Sequence, residues 1–525
     1  MAEEDLLFGK NRHLFGGIEP SNMLSFLATS TYIPTTSTPR ISISITLPVD
    51  TIINGQTLCT VAGAVIRRST IGYPVTEFDG DLVATVTTNG TIYDTNVVLN
   101  TTYYYSAFPF TTQGVYNRNK VNRSTCKAVS YGYLFGYDLT VATSDCAARV
   151  VYPSGVDNSA YAPVAMNFTT GVFNYGGWSN TAGNNFMPKP CMLNYNGTVA
   201  YYLNPNDYTK KVDGTASDVA NTAFGGNAMM EWPKIYTKRE YVNGVYKFRC
   251  CDIKLDSSYD CWSNYDKNNN EINHFYTPIY FGSNGNSRLR SISGQSNYVN
   301  DIAATEIHYA TVNGDGWYTE VLADRLLIQD LLVLMAKSTD TQTAYGTGRV
   351  AGSNTSAIGQ GTMNTNGLFW GSSDQTSGVK VFGMENWWGN LWRRTAGWIC
   401  ANGTQKVKLT QGTHDGSSAT DYKLDGTGYL ALSGATPAGT SSGGYISAMK
   451  NDLPFGRIPV TVSGSSSTYE ADGLGFNNGQ VNYALVGGSW ASMLIAGAFS
   501  TLMDFKVDSI STSSGVALSC KPLAV

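Results

Sequence analysis

The sequence has few charged side chains and few histidines. Only 14% of its 525 residues are Asp, Glu, Lys or Arg, and it contains four histidines. The formal net charge of -4 is spread over isolated residues, and the largest basic groups are pairs such as Arg67-Arg68 and Arg393-Arg394. Because a phosphate-neutralising surface needs clustered basic residues, we expect no nucleic-acid partner.

Signals for export, membrane insertion and zinc binding are also missing. Acidic residues follow Met1, where a secretory signal carries basic ones, and no apolar run reaches the roughly 18 residues of a membrane span. The nine cysteines show no C-x-x-C spacing. This pattern indicates neither a disulfide framework nor a zinc site, and we expect no signal-dependent export and no membrane insertion.

Residues that favour strands and turns are abundant. The chain has 55 glycines, 33 tyrosines and 42% hydrophobic residues. This composition predicts a mainly β protein with few helices, in the α+β class. One helix is predicted over residues 319–337, where apolar side chains surround most of the axis and charged residues such as Asp324 and Asp330 interrupt the run. A core helix is the better interpretation of that pattern.

The N-terminal quarter predicts an arm followed by a β-sandwich. Residues 1–38 lack a period and contain Pro20 and Pro34, which is typical of an attachment segment. From residue 39 to 125, short strands alternate with turns such as Asn54-Gly55 and Asn89-Gly90. The segment Tyr103-Tyr-Tyr-Ser-Ala-Phe-Pro-Phe110 resembles the Tyr-rich penultimate strand of immunoglobulin-like and fibronectin type III modules. In phage tail proteins such modules are spacers.

Five of the ten tryptophans lie between Trp370 and Trp398. The motif Gly383-Met-Glu-Asn-Trp-Trp-Gly-Asn-Leu-Trp392, with a later Gly487-Gly-Ser-Trp490, resembles the framework of the formylglycine-generating-enzyme branch of the C-type lectin fold. The resemblance implies a large domain over residues 126–525 with insertions, in which a last strand at 515–520 returns beside the first. Its implied framework residues are Trp387, Trp388, Gly389, Asn390, Trp392, Gly487 and Gly488.

The tail of the chain keeps neither period two nor period 3.6. It is similar to the C-terminal segment of phage receptor-binding proteins and of the variable proteins of diversity-generating retroelements, where side chains vary on a constant backbone. This resemblance implies a variable ligand-binding face over about residues 477–514. Its implied ligand contacts are Leu485, Ser489, Trp490, Ala491, Ser492, Leu494, Ile495, Asp504, Phe505, Ser511, Thr512 and Ser513.

Whether a retroelement diversifies the segment stays open at this point. Met493, Met503 and Lys506 cannot arise from Asn codons by adenine substitution alone. Trp490 lies between the framework and the variable face, and its assignment to one or the other stays open.

Catalysis receives little support from the sequence. The oxidases that share the C-type lectin fold use two cysteines close in sequence, whereas this tail has only Cys520. The related synthases use a histidine cluster, but His13, His274, His308 and His414 are widely separated. We therefore predict no enzyme activity, no catalytic residues and no cofactor.

A structural Ca²⁺ is the one metal that the sequence offers. His414, Asp415, Asp421 and Asp425 carry suitable ligands, although a polar surface loop is the more frequent origin of such a cluster.

Together these features predict a phage tail-tip or tail-fibre protein, made in the bacterial cytoplasm and assembled into the virion. It would bind a host-surface protein or glycan non-covalently and contact other tail proteins. We expect a homo-oligomer, with a trimer as one form. The alternatives are a structural virion or decoration protein without a receptor role, and an enzyme of the formylglycine-generating type.

Overall fold

The computed structural model describes residues 18–34, 38–178, 186–408, 428–439, 443–506 and 508–524. The fold is mainly β, with 41% strand and 7% helix, which confirms the predicted class. The chain divides into two compact units, Met1–Gly132 and Tyr133–Val525.

The first unit is built from short strands. In chain order they are β1 (Ser25–Ser30), β2 (Ile33–Pro34), β3 (Ile41–Thr46), β4 (Thr51–Ile53), β5 (Gln56–Cys59), β6 (Val61–Ser69), β7 (Asp81–Val86), β8 (Gly90–Asp94), β9 (Thr102–Thr111), β10 (Arg123–Lys127) and β11 (Ser130–Tyr131). A three-stranded sheet has the order β1-β3-β8, and a four-stranded sheet has the order β10-β9-β6-β7. All pairings inside these two sheets are antiparallel.

The two sheets of this unit share one hydrophobic core. Ile41, Ile43 and Ile45 are buried on one face of β3, and they cluster with Ile66 and Tyr105 of the other sheet. The alternation of apolar and polar residues along β3 is the direct cause, because successive side chains point to opposite faces of a strand. The unit is therefore a two-sheet antiparallel sandwich, and its membership of the immunoglobulin-like family stays a prediction.

The strands do not follow the predicted boundaries, which place the end of the arm at residue 38 and the end of the sandwich at residue 125. Strand β1 lies within the predicted arm, residues 1–38, yet all six of its residues pair with β3. Strand β10 crosses the predicted boundary at residue 125. Apolar and polar residues do not alternate regularly along β1 or β10, so side-chain periodicity gave no signal for these strands. Residues 1–17 and 35–37 of the arm lie outside the described residues.

The second unit contains many more strands. Its first part has β12 (Leu134–Thr140), β13 (Val150–Val151), β14 (Ala165–Asn167), β15 (Val172–Asn174), β16 (Lys189–Asn194), β17 (Val199–Asn204), β18 (Asp207–Lys211), β19 (Gly226–Pro233), β20 (Tyr236–Val242), β21 (Val245–Cys251), β22 (His274–Pro278), β23 (Ser283–Asn284), β24 (Leu289–Arg290) and β25 (Trp317–Thr319). Its second part has β26 (Lys380–Val381), β27 (Met384–Glu385), β28 (Trp392–Ala401), β29 (Thr404–Val407), β30 (Leu430–Ala431), β31 (Ala438–Gly439), β32 (Gly443–Leu453), β33 (Gly456–Val462), β34 (Gly473–Phe476), β35 (Val481–Val486), β36 (Thr501–Met503), β37 (Ser514–Gly515) and β38 (Leu518–Cys520).

Two large sheets organise this unit. A seven-stranded sheet has the order β18-β17-β16-β19-β22-β38-β25. A ten-stranded sheet has the order β30-β29-β28-β35-β36-β34-β32-β33-β31, and β37 pairs with β28 outside that path. A four-stranded sheet, β13-β12-β21-β20, completes the main framework.

Three α-helices occur in the described part of the chain: α1 (Ala303–Thr311), α2 (Leu322–Ala336) and α3 (Thr341–Tyr345). Every residue of α2 is buried, as the all-round apolar pattern predicts. The helix begins later than predicted because residues 317–319 pair with β38. Among the described residues, no helix is long and apolar enough to cross a membrane.

The last strand differs from the expectation that the lectin resemblance carried. Strand β38 lies between β22 and β25, and it does not pair with β12, the first strand of the unit. The C-type lectin identity of this unit therefore rests on the motif alone and stays a prediction.

Candidate ligand-binding face

Two glycines begin a projecting loop, residues 487–497, directly after β35. Gly487 has φ of 89° and Gly488 has φ of 85°, a conformation that side chains disfavour. A Cβ added at Gly488 would lie 2.5 Å from the Cβ of Ala496 at the other end of the loop. Glycine is therefore required where the loop closes on itself.

Hydrogen bonds of its backbone fix this loop to the tryptophan-rich motif and to residues 350–354. The Trp490 N–H donates to the Asn390 carbonyl at 2.8 Å, and the Met493 N–H donates to the Val350 carbonyl at 2.7 Å. The Asn354 side chain donates to the Trp490 carbonyl at 3.0 Å. Since these bonds use main-chain groups of Trp490 and Met493, they do not depend on the side chains at those two positions.

The seven implied framework residues are all buried. The Trp388 indole N–H donates to the Gly346 carbonyl at 3.1 Å. The Trp387 ring lies under the guanidinium of Arg325, whose Cζ is 3.5 Å from the ring centroid. Arg325 also donates to the carbonyls of Trp387 and Ala498. The motif is thus a buried base that holds both ends of the loop.

The outer side of the loop presents apolar side chains to solvent. Met493 is 61% exposed, Leu494 is 36% exposed, Ile495 is 37% exposed and Trp490 is half-buried. We call these four residues the apolar ridge. Neither residues 487–503 nor the adjoining residues 350–359 contain a charged side chain. Exposed apolar groups on a fixed backbone are typical of a protein interaction surface.

Two predicted ligand contacts are wrong. Leu485 is fully buried, because β35 is an interior strand and this residue pairs with both Arg394 and Leu502. Ser489 is 5% exposed, and its N–H donates to the Ser492 hydroxyl at 2.8 Å inside the loop. Both side chains support the face from within.

The other predicted contacts fall into three groups. Ala491, Ser492, Leu494 and Ile495 accompany Trp490 on the loop. Ser511, Thr512 and Ser513 lie beside the same motif, where the Trp392 N–H donates to the Ser513 carbonyl at 3.0 Å. Asp504 and Phe505 are attached instead to β35, where the Tyr483 N–H donates to the Phe505 carbonyl at 3.1 Å. The first two groups meet the motif at residues 390 and 392.

A buried polar pair behind the ridge escaped prediction. The Gln342 amide donates to the carbonyls of Leu494 and Ala496 and to Asp472. Asp472 is 1% exposed and accepts the Phe499 N–H at 2.7 Å. Among the described residues, no cation lies within ion-pair distance of this carboxylate. These residues are far apart in sequence, and isolated polar residues carry no periodic signal.

Burial raises the pKa of the Asp472 carboxyl well above its usual range. A carboxyl whose pKa is higher in the folded state binds protons more tightly there. Its stabilising contribution is therefore complete below the unfolded pKa of about 3.9 and is lost as the pH rises through the folded pKa.

The variant Asp472→Asn is therefore expected to lose less stability than the native chain as the pH rises. The difference should grow by up to about 1.4 kcal/mol per pH unit until Asp472 ionises. Urea unfolding at about pH 5 and about pH 8 measures it, with Asp472→Ala as the variant that leaves the donors of Gln342 and Phe499 unpaired. Parallel pH profiles for the native chain and Asp472→Asn would contradict this assignment.

The cysteines and the potential metal ligands are the remaining candidate functional groups among the described residues. All nine cysteines are free and buried, and burial raises the pKa of the Cys520 thiol, which disfavours its nucleophilic thiolate. Within the described ranges, no group of three or more His, Cys, Asp and Glu residues is placed to hold a metal ion. The proposed Ca²⁺ ligands at residues 414–425 and His13 lie outside those ranges.

Neither the models of known protein families nor the curated proteins include a match to this chain. The candidate face therefore stands on its own geometry, and the family resemblances stay predictions.

Proposed function

We propose that the chain is a receptor-binding protein of a phage tail tip or tail fibre. It holds a host-surface ligand non-covalently on the apolar ridge. The observation that carries this proposal is the exposure of Met493, Leu494 and Ile495, three consecutive apolar residues, on a loop whose backbone is tied to buried tryptophans.

The fixed backbone favours binding in two ways. Little loop entropy is lost when a ligand docks on a loop that is already ordered, so more of the contact energy appears as affinity. Substitutions of exposed side chains away from packed features change stability by only about 0.5 kcal/mol. The ridge can therefore exchange side chains and ligands while the base stays constant.

The absence of charge from the ridge and from residues 350–359 favours an apolar contact there over ion pairs. Burial of apolar surface supplies about 25 cal/mol per Å², independent of salt, whereas ion pairs weaken as salt screens them. Ser353 and Thr355 are exposed on either side of Asn354, whose amide donates to the Trp490 carbonyl, and their hydroxyls can offer hydrogen bonds. This combination suits an apolar side chain of a host-surface protein better than an ionic ligand.

The remaining parts of the chain fit the same proposal. The sandwich of the first unit serves as a spacer or attachment module towards other tail proteins. Several copies in one fibre, for example in a trimer, raise weak single-site affinity through multivalency. Such a protein is made in the host bacterium and resides in the virion tail.

A competition experiment with host cells tests the proposal. We expect the purified chain to bind host cells and to block adsorption of the phage that carries it. The variant Leu494→Ser/Ile495→Ser should fold but fail to compete, while Val242→Ser, which alters an exposed valine on β20, should compete like the native chain. Failure of the native chain to bind cells, together with binding to virions that lack it, would favour a structural tail or decoration protein.

A further inference from the structure

A second group of polar side chains lies across the seven-stranded sheet, far along the sequence from the ridge. Lys189 on β16, Glu231 on β19 and Tyr276 on β22 are direct cross-strand partners. Tyr202 on the neighbouring strand β17 is 38% exposed. These polar side chains form a row across adjacent strands of a sheet that elsewhere buries apolar residues.

Glu231 is at the centre of this row. It is 6% exposed, and each of its oxygens accepts a hydrogen bond from one tyrosine hydroxyl: Tyr202 at 2.9 Å and Tyr276 at 2.9 Å. Among the described residues, no lysine or arginine lies within ion-pair distance of Glu231. The Lys189 ammonium lies over the Tyr202 ring instead, at 5.8 Å from its centroid.

This arrangement is costly if it serves stability alone. A largely buried carboxylate without a cation loses hydration that two neutral hydrogen bonds only partly replace. Burial and the bond to Glu231 raise the pKa of Tyr202 to about 12, so the hydroxyl stays protonated and keeps donating. An apolar residue at position 231 would fit the pattern of a buried sheet better, which suggests a role in binding.

The two tyrosines line two different clefts. Tyr276 lines a cleft of about 320 Å³ together with Glu271, Asn273, His274 and Pro522. Tyr202 lines a cleft of about 390 Å³ together with Pro188, Pro190, Leu203 and Val212. The carboxylate of Glu231 therefore lies between the hydroxyls of two tyrosines that line different clefts, and each cleft has the volume of a small-molecule site.

We propose that these two clefts form one site for a neutral oligosaccharide, which we call the Glu231 site. A sugar ring has apolar C–H faces, which suit the Tyr202 ring and the prolines of the larger cleft. It also has hydroxyls, which suit the amide of Asn273 and the imidazole of His274 in the smaller cleft. An extended chain of sugars would place successive rings in the two clefts, on either side of Glu231.

The charges near the site argue against an anionic ligand. Glu231 and Glu271 are both close to the clefts and outnumber Lys189, the one lysine or arginine among the described residues that line either cleft, so the site disfavours a phosphate or an acidic sugar. Glu271 is also occupied, because it accepts hydrogen bonds from Lys234 at 3.1 Å and from the Tyr236 hydroxyl at 2.7 Å. Of the two carboxylates, only Glu231 therefore lacks a basic partner among the described residues, and a single carboxylate is a poor site for a free cation.

The Glu231 site shares no residue with the apolar ridge, so the two proposals fail or succeed separately. A receptor-binding protein with both would engage a surface glycan and a second host-surface ligand at different places.

A carbohydrate array tests the Glu231 site. The full chain is applied to immobilised neutral, amino-sugar and acidic oligosaccharides and, in parallel, to immobilised peptides. We expect binding to at least one neutral oligosaccharide series, reduced about tenfold or more by Tyr202→Ala and by Asn273→Ala. Tyr241→Ala, which alters another exposed tyrosine, and the ridge variant Leu494→Ser/Ile495→Ser should leave the signal unchanged.

Three outcomes would overturn the inference. The first is no binding to any neutral oligosaccharide, and the second is a preference for acidic oligosaccharides or for peptides. The third is oligosaccharide binding that survives Tyr202→Ala and Asn273→Ala at full strength, which would place it elsewhere. Tryptophan fluorescence of each variant checks that the second unit is folded, and Tyr202→Phe separates the ring contact from the hydrogen bond to Glu231.

Discussion

Replacing Trp388 with alanine is expected to lower the free energy of unfolding of the second unit by about 3–5 kcal/mol. The ring is fully buried and packs edge-on against Trp387, with 6.3 Å between ring centroids, and against Tyr345 at the same distance. Its removal leaves a large cavity and an unpaired carbonyl at Gly346. The lost packing and the lost hydrogen bond both belong to the motif that holds the ridge loop.

Urea unfolding followed by tryptophan fluorescence measures this effect. All ten tryptophans lie beyond residue 132, so the signal reports the second unit alone. The matched control is Trp490→Ala, which removes a half-buried ring from the ridge and should change the free energy of unfolding by less than about 1 kcal/mol. Equal losses for the two variants would contradict the division into a buried base and an exposed face.

Changing the ridge should lower affinity for host cells and leave the free energy of unfolding nearly unchanged. The double variant Trp490→Ala/Leu494→Ser is expected to lower affinity for host cells about a hundredfold or more, with little change in stability. Truncating an aromatic or aliphatic anchor at the centre of an interface costs about 2 kcal/mol or more, and each 1.4 kcal/mol is tenfold in affinity. The bound fraction of labelled chain, titrated on whole cells, gives the ratio.

Salt provides an independent check on the same contact. Because the ridge and residues 350–359 carry no charge, affinity should change little between about 0.05 M and about 0.5 M NaCl. A steep loss of binding at high salt, or an unchanged affinity in the double variant, would place the interface on charged residues elsewhere. The Val242→Ser chain serves again as the control for an exposed apolar residue.

Local periodicity was enough to predict several elements of the fold. The alternation of Ile41, Ile43 and Ile45 predicted β3, and the apolar residues around residues 319–337 predicted the buried helix α2. Leu494 and Ile495 are partly exposed on their loop, and their role as ligand contacts stays a prediction. For both β3 and α2, the pattern of neighbouring residues in the sequence is enough to predict the element.

Features that depend on distant pairing were not predictable. Leu485 and Leu494 are both leucines in an apolar tail, yet the first is buried because β28 and β36 flank its strand. The position of β38 between β22 and β25 joins residues about 200 and 240 apart in the chain. The support of the ridge by Gln342 and Asp472, and the link between Tyr202 and Tyr276 through Glu231, are likewise tertiary contacts without a local pattern.

Hydroxyl-radical footprinting of the native chain on host cells tests the central claim most directly. Met493 and Trp490 carry readily oxidised side chains, and 61% of Met493 is exposed. When the chain is bound to cells, oxidation of Met493 and Trp490 should fall strongly relative to the free chain, while oxidation of the exposed ring of Phe78 in the first unit stays the same. Bound chain in which Met493 and Trp490 are oxidised as in the free chain would contradict a receptor contact on the ridge.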